Sequence, residues 1–502
     1  MSLSVFAAAR EAPERAALVL GGRTLTFGAL AARVRARLAA EPALTEAAAA
    51  GAPVALVADI DGASFVLLHA AIAAGAAVHL LHPRLAEAER AALLSRIRPA
   101  LVLAAAEGDA DLDVPAGDET KRAGDASLAA GVEDARHGRD GIRARAAPAT
   151  DVPADARPLA VVYTSGSTGA PKGVELSRAA FAAAADASAA RLGWRDDDRW
   201  LVRIPLAHVG GLSILTRCLL ARRCVVLADR TEAGADGTET LMRQIERDRV
   251  TLVSLVPTQL ARLLERDWRP PPFLRVVLVG GAAAPPALLE RAADQDWPVL
   301  TTYGLTEACS QVATQRPGTV NRGGLGVGPP LDGVEVRILD EMIQVRGPAL
   351  FTRYHPIGAV PDPRVEGGWL PTGDRGRLDA AGNLHVLGRA DDVIVSGGEN
   401  VDPLEVEAAL LATDTIAQAC VFAVPDAEWG QRVCAALVAA PGAEPDPRAI
   451  DRLLRGRLAG FKRPRAYALL DALPGRPSGK VDRRAVAAAA SGRLVMIDGE
   501  GG

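Results

Sequence analysis

The chain reads as an α/β protein with a large N-terminal domain of layered sheets and helices, a small β-rich subdomain within it, and a smaller α+β domain at the C-terminus. Three observations predict this. Short apolar runs alternate with helix-like runs over residues 1–150 and again over 159–300. Two strand-like runs, Val334-Glu-Val-Arg-Ile-Leu and Met342-Ile-Gln-Val-Arg, follow one another without a helix. Beyond residue 403, a helix-like run, two strand-like runs and a second helix form a block of their own. Strands separated by helices imply a parallel sheet covered on both faces. A chain of 502 residues exceeds what one hydrophobic core organises, so at least two domains are expected.

The elements follow in order. Arg23-Thr-Leu-Thr-Phe is strand-like and leads into a helix through Leu38. Pro53-Val-Ala-Leu-Val-Ala is a second, buried strand. Phe65 to Leu81 is the most apolar run, but it carries His69, Gly75 and His79 and falls short of the ~20 apolar residues of a membrane span. It reads as a buried helix running into the strand Ala77-Val-His-Leu-Leu. Ala86 to Ile97 is helical, and Ala100-Leu-Val-Leu-Ala is a strand. From Asp109 to Asp155 the chain turns polar and rich in Gly, Asp and Arg, which predicts a loose connection. Leu159-Ala-Val-Val is a buried strand, and Ser177 to Leu192 is a helix. Trp200-Leu-Val, Cys224-Val-Val-Leu-Ala, Thr251-Leu-Val-Ser-Leu-Val and Leu274-Arg-Val-Val-Leu-Val are further strands, with His208 expected at a strand end. In the last block Pro403 to Leu411 is helical, Ala417 to Pro425 pairs with Arg432 to Val438, and Arg448 to Leu458 is helical. The tail from Ser491 to Gly502 is expected to be disordered.

Composition excludes several classes. Hydrophobic residues make up 49% and charged residues 24%, the balance of a globular protein, and the net charge of −4 points to neither nucleic acid nor an anionic membrane. Charges interrupt the N-terminal run before a signal-peptide core forms, so no integral membrane segment is expected. The 5 cysteines form no C-x-x-C pair, which suggests reduced thiols and a cytoplasmic location. The 7 histidines form no zinc motif.

Chemistry concentrates in Tyr163-Thr-Ser-Gly-Ser-Thr-Gly-Ala-Pro-Lys-Gly173. Glycines let backbone N–H groups converge on an anion, the hydroxyls of Thr164, Ser165, Ser167 and Thr168 add donors, and Lys172 adds a mobile positive charge. Gly166 and Gly169 set the turns. This predicts a phosphate-gripping loop, though not one with Walker A spacing. The order Ser-Gly-Ser-Thr-Gly-x-Pro-Lys-Gly resembles the phosphate loop of the adenylate-forming superfamily of acyl-CoA ligases, luciferases and peptide-synthetase adenylation domains. The motifs Tyr303-Gly-Leu-Thr-Glu307, Pro371-Thr-Gly-Asp374, Gly388-Arg-Ala-Asp391 and Pro477-Ser-Gly-Lys480 follow in that family's order. The run Thr306-Glu-Ala-Cys-Ser-Gln311 is similar to the 2-succinylbenzoate–CoA ligases of menaquinone biosynthesis.

The resemblance implies roles. Tyr303 would stack on adenine beside Gly304, with Gly281 and Ala282 along the adenine or the acyl group. Thr306 would bond the α-phosphate, and Glu307 would hold Mg²⁺. Asp374 would take the ribose hydroxyls and Arg389 would contact the nucleotide. His208 would meet the substrate carboxylate, with Ser310 and Gln311 at the acid. Lys480 would reach the α-phosphate during adenylation. Asp391 would be the hinge of a mobile C-terminal domain, dividing the chain into 1–390, 391–490 and a tail, 491–502. Gly397 and Gly398 would line the thiol tunnel. Arg217 reads either as a solvated cation or as the partner of a second anionic group on the substrate. Two departures stand out: Ala207 replaces the bulky neighbour usual before this histidine, and Asp402 stands where an aromatic residue is common.

The implied activity uses ATP, Mg²⁺ and coenzyme A with a small carboxylic acid: an acyl-adenylate forms first, then a CoA thioester. Alternatives are a CoA ligase for another aryl or fatty acid, an adenylation enzyme that loads a carrier protein, and a non-enzymatic nucleotide-binding paralogue. Intact Lys172, Glu307, Asp374 and Lys480 speak against the last. The basic stretch from Arg452 to Arg465 reads as a solvated face or a contact for the CoA 3′-phosphate. Oligomeric state stays open between a monomer and a homodimer.

Overall fold

The computed structural model describes residues 2–104, 156–165, 171–229, 237–266, 268–355, 361–396, 399–426, 429–455, 457–475 and 481–497. The predicted connection over 109–155 lies outside them. The chain divides into two compact units. The first comprises 1–251, 306–310 and 348–362; the second comprises 252–305, 311–347 and 363–502.

In the first unit, a six-stranded sheet runs in the order Arg353–His355, Pro171–Ser177, Pro158–Ser165, Val78–Leu81, Val54–Val57, Leu101–Leu103. Its last four strands are parallel, as the alternation of strands and helices predicts. The first two are antiparallel, so the expected all-parallel sheet is corrected to a mixed one. The cause lies in the phosphate motif. Its second half does not pass straight from loop to helix but folds back as the strand Pro171–Ser177, pairing Thr164 with Lys172 and Tyr163 with Gly173. The helix Arg178–Leu192 begins only then, with the Ser177 hydroxyl accepting from Ala180 N at 3.1 Å as its N-cap. A second correction concerns Arg23–Thr26. This strand pairs with Ala16–Leu20, which joins Cys224–Leu227 and Arg199–Val202 in a different row from Val54–Val57.

The apolar run over 65–81 resolves as read: a helix, Gly62–Ala74, then the strand Val78–Leu81. Asp61 caps the helix at Ser64 N and Gly75 ends it at φ 83°. No described helix is long and apolar enough to cross a membrane. Two histidines are buried here, His69 in the helix and His79 in the strand, each 2% exposed. Burial pulls each imidazole down to about 3, and the neighbouring His355 adds to the effect at His79. Both are therefore neutral in the folded protein, while the unfolded chain takes up their protons below pH ~6.5. Their contribution to stability is complete above that pH and declines as pH falls toward 3, by ~1.4 kcal/mol per histidine per pH unit. At pH 5 we expect a loss of about 2 kcal/mol from each. Urea unfolding of His69→Leu should show a shallower loss between pH 7 and pH 5 than the parent protein. Equal slopes would remove His69 from this account.

Among the described residues, the strands of the second unit fall into three groups. Leu252–Leu255, Val276–Val279 and Val299–Tyr303 are parallel, with Ala313–Thr314 antiparallel at the edge. The β-rich subdomain is a four-stranded antiparallel sheet of Glu335–Leu339, Met342–Arg346, Leu370–Leu378 and Leu384–Arg389. The C-terminal block is built on the long pair Ile416–Asp426 and Gly430–Ala439. Alternation divides its core between two faces. Val421, Val433, Ala435 and Leu437 pack with Val406, Leu410, Ile450 and Leu454. Cys420, Phe422, Cys434 and Ala436 pack with Val486 and Ala490. The tail is a third correction: Val495–Met496 forms a short strand on Ala466–Leu469, and Ile497 N bonds Arg465 O at 2.9 Å, so order extends into it.

Candidate active site

In the first unit, the phosphate-motif hairpin presents two faces. Side chains alternate across it, so Thr164 and Lys172, paired in register, share one face, while Tyr163 and Gly173 share the other. The edge strand Arg353–His355 pairs Tyr354 with Val174 and His355 with Gly173, which extends both sets.

The first face carries the charge. Lys172 Nζ lies 2.9 Å from Glu307 Oε1 and 2.9 Å from Tyr354 Oη, and Tyr354 Oη donates to Glu307 Oε1 at 3.0 Å. The ammonium also stands 4.3 Å from the centroid of the Tyr354 ring. Burial pulls the Lys172 ammonium down, but the charge of Glu307 and the hydrogen bonds of Tyr354 and Glu307 outweigh it, leaving its pKa above the ordinary lysine value. Burial and the same carboxylate push the Tyr354 phenol up, so its proton stays on. Glu307 sits on the one-turn helix Thr306–Ala308, and its carbonyl accepts from Phe351 N at 2.7 Å. The Thr164 hydroxyl is buried without a hydrogen-bond partner among the described residues. A cation, an unpaired hydroxyl and a hard carboxylate oxygen together suit a phosphate with a magnesium ion, which takes one or two carboxylates and completes its shell with substrate phosphates and water. Among the described residues no cluster of three or more His, Cys, Asp or Glu forms a metal cage of its own.

The second face is a packed network. His79 Nδ1 and Tyr163 Oη are 2.7 Å apart, and the His79 and His355 rings meet edge-on at 4.6 Å. Gly173 is required here, since a Cβ would fall 2.8 Å from Val161 Cγ1 and 3.0 Å from Tyr163 Cε1.

His208 is not at a strand end. It is the N-cap of the helix Val209–Ala221, and its ring lies 5.0 Å from that of His82. The strand stops at Val202, and the helix starts close to the preceding turn because Gly211 has no Cβ: one there would meet the Ile204 and Pro205 carbonyls at 2.5 Å. On the same helix Arg217 is 3% exposed, with Nε and Nη2 lacking hydrogen-bond partners among the described residues. Its guanidinium lies 5.6 Å from the centroid of the Trp200 ring, and burial pulls its pKa down to about 10. The solvated reading of Arg217 is therefore excluded. Ser213, one turn earlier, donates to the Cys309 carbonyl at 3.2 Å. Cys309 and Ser310 hold φ of 49° and 93°, a left-handed pair that non-glycine residues seldom adopt.

In the second unit, Asp374 and Arg389 face one another across paired strands. Tyr303 Oη donates to Asp374 Oδ2 at 2.5 Å, and Arg389 Nη1 donates to Asp374 Oδ1 at 3.3 Å and to Thr372 O at 3.1 Å. Gly373, at φ 77°, leaves room for the Arg389 guanidinium, which would lie about 3 Å from a Cβ at that position. Gly304 follows directly on Tyr303 at the end of Val299–Tyr303. Gly281 and Ala282, exposed, follow the carboxyl end of Val276–Val279. Gln311 is drawn into a buried cluster, its Nε2 donating to Thr314 Oγ1 at 2.9 Å and Thr302 Oγ1 at 3.3 Å. Asp391, exposed, pairs with Arg389 at 3.1 Å. Asp402 caps the helix Pro403–Leu411 and pairs with Arg375 at 3.4 Å. In the basic stretch, Arg455 and Arg463 both bind Asp451, and Lys462 binds Glu405. Gly166, Ser167, Thr168, Gly169, Gly397, Gly398 and Lys480 lie outside the described residues, as does the side chain of Ser165.

Sequence reasoning missed Tyr354, His79, His82 and the hydroxyl bond of Tyr303. A signal existed only for His82, which directly follows the carboxyl end of the parallel strand Val78–Leu81, where α/β sheets place ligands.

Comparison with known proteins bears on this geometry. The chain matches the AMP-binding enzyme family over residues 5–355 and the AMP-binding enzyme C-terminal domain over residues 405–480. It is similar to the 2-succinylbenzoate–CoA ligase of Bacillus pumilus, 33% identical over 488 residues that span 94% of each chain. The ligase of the same name from Bacillus licheniformis is 35% identical over 433 residues, 83% of this chain and 85% of that one. Among solved structures, o-succinylbenzoate CoA synthetase from Bacillus subtilis with its acyl-adenylate intermediate has a TM-score of 0.77 at 31% identity, covering 96% of each chain. The same enzyme with ATP and magnesium ion also gives 0.77 at 31% identity, covering 96% of this chain and 98% of that one. The first match takes in Lys172, Glu307 and Tyr354, the three side chains whose geometry suits a magnesium-borne phosphate, and two matches together account for most of the sequence: the chain belongs to the family of AMP-binding enzymes.

Proposed function

We propose that this chain is an AMP-forming acid–CoA ligase that joins 2-succinylbenzoate to coenzyme A in menaquinone biosynthesis. The family and the names of its relatives support the reaction. Arg217 carries the substrate reading: a buried guanidinium with two nitrogens unpaired among the described residues is costly unless an anion meets it, and 2-succinylbenzoate brings a second carboxylate besides the reacting one.

In this reading the first half-reaction brings two anions together, and the chain works by charge placement and orientation. Lys172 and the Thr164 hydroxyl face the phosphates. Tyr303 and Asp374 hold adenosine, and Arg389 steadies Asp374. Thr306 and Lys480 meet the α-phosphate, and His208 orients the reacting carboxylate. Glu307 would hold magnesium, which when bound neutralises phosphate charge. The carboxylate attacks the α-phosphorus, pyrophosphate leaves, and the CoA thiolate then displaces AMP. We place the domain boundary at Asp391 and assign Gly397 and Gly398 to the thiol path, with the C-terminal domain turning between steps. The five cysteines are free and buried, which supports a reducing, cytoplasmic setting. Burial pushes their thiols up, as in packing residues rather than nucleophiles.

The test is pyrophosphate release with ATP and Mg²⁺ over a panel of acids: 2-succinylbenzoate, benzoate, a medium-chain fatty acid and several amino acids, with thioester detection. Preference for 2-succinylbenzoate with a CoA-dependent product is expected. Preference for benzoate or a fatty acid would keep the mechanism and overturn the substrate. Arg217→Ala should raise KM for 2-succinylbenzoate about tenfold or more and leave KM for ATP near its original value, since a hydrogen bond to a charged group contributes ~1.5–3 kcal/mol. Equal KM values for the acid in both proteins would remove Arg217 from the pocket.

A further inference from the structure

We propose that Tyr354 is a positioning residue for Glu307, and that its hydroxyl sets how tightly the chain takes up ATP together with magnesium. The inference rests on the reading of Glu307 as the metal-facing carboxylate.

Glu307 stands on a single turn of helix, Thr306–Ala308. Its backbone is fixed by the bond from Phe351 N to its carbonyl, but so short an element does not fix a flexible side chain. What the carboxylate meets decides where it points. Two donors converge on the same oxygen, Oε1: Lys172 Nζ at 2.9 Å and Tyr354 Oη at 3.0 Å. They differ in stiffness. Lys172 swings on a four-carbon stem, whereas Tyr354 has two side-chain torsions and a ring held between neighbours. Phe351 packs on one side with ring centroids 4.7 Å apart, and the Lys172 ammonium stands over the ring at 4.3 Å. The strand register adds to this. Tyr354 lies opposite Val174, which puts it diagonal to Lys172 on the same face, within reach of a long side chain. The hydroxyl is thus the fixed point of a three-member set, and the lysine is the adaptable one.

Lys172 also donates to the Tyr354 oxygen at 2.9 Å, so the phenol turns its proton toward the carboxylate. Without the hydroxyl, Lys172 alone would hold Glu307, and the carboxylate would follow the lysine as it moves to a phosphate. The two side chains that must separate to serve a phosphate and a metal would then stay paired.

Tyr354→Phe keeps the ring and removes only the hydroxyl, so packing on Phe351 is retained. Calorimetric titration should compare ATP binding with magnesium and with EDTA in both proteins. We expect ATP with magnesium to bind the variant about tenfold more weakly, and ATP in EDTA to bind both equally, because the lost bond runs from a neutral donor to a charged acceptor that serves the metal. In a Glu307→Gln background, Tyr354→Phe should have little further effect, the signature of action through the carboxylate. Equal weakening with and without magnesium, or no weakening at all, would overturn the proposal. If magnesium made no difference to the parent protein, the reading of Glu307 would fall first and this inference with it.

Discussion

Glu307→Gln will lower magnesium-dependent pyrophosphate release by about a hundredfold to a thousandfold, the scale set by losing a charge-neutralising contact worth several kcal/mol. The substitution is nearly isosteric. Glutamine still accepts a hydrogen bond from Tyr354 Oη, but it brings no charge to Lys172 or to a cation. Folding should suffer far less. Lys172 keeps 29% of its side chain in solvent and retains Tyr354 as a partner, so breaking the pair does not strand a charge in an apolar interior. A large fall in rate beside a nearly unchanged urea midpoint separates a role in the reaction from a role in the fold. A variant keeping more than a tenth of the parent rate at saturating magnesium would remove Glu307 from the metal.

The same ion pair marks how far the sequence can be read. Lys172 and Glu307 were each visible because their motifs are local: glycines and hydroxyls around the lysine, and a Tyr-Gly-x-Thr-Glu run around the glutamate. Tyr354 had no such mark. It lies 182 residues from Lys172, in an edge strand of three residues, and only strand pairing brings it to the carboxylate. The strand Pro171–Ser177 was hidden for a different reason. Proline and glycine at its start read as turn residues, yet Pro171 begins the strand, and Gly173 is there because Val161 and Tyr163 leave no space for a Cβ. His208 shows the limit of placing a residue by its neighbours, since Pro205 and two glycines suit a strand end and a helix start alike. The helices Pro403–Leu411 and Arg178–Leu192 and the apolar strands were legible from their local sequence, whereas the helix Val209–Ala221 and the strand Leu370–Leu378 were not read.

Tyr303 and Asp374 argue the same point in the second unit. Their motifs suggested an adenine stack and a ribose contact as separate tasks. A 2.5 Å bond between the phenol and the carboxylate ties the two side chains together, so that Tyr303 orients Asp374. Burial and the Asp374 charge both raise the Tyr303 phenol above its ordinary range, which keeps its proton available for that bond.

Lys480→Ala will stop adenylate formation while sparing most of the thioester step. The first half-reaction needs a cation where a carboxylate closes on a phosphate, and losing one such donor costs about a hundredfold to a thousandfold. The second starts from an acyl-adenylate, whose carbonyl is already activated and whose phosphate carries no incoming anion, so the lysine has nothing comparable to stabilise. The residues on either side of this segment are anchored: Gly475 and Val481 bridge, Asp482 N bonds Pro474 O at 2.9 Å, and the Asp482 side chain caps the helix Arg483–Ala490. A change at position 480 is therefore expected to act on chemistry more than on the fold of the C-terminal block. Single-turnover assays separate the steps, one following pyrophosphate from ATP and acid, the other following AMP from synthetic acyl-adenylate and CoA. Equal loss in both would place Lys480 in a general binding role and would leave the turning of the C-terminal domain between steps without its main support.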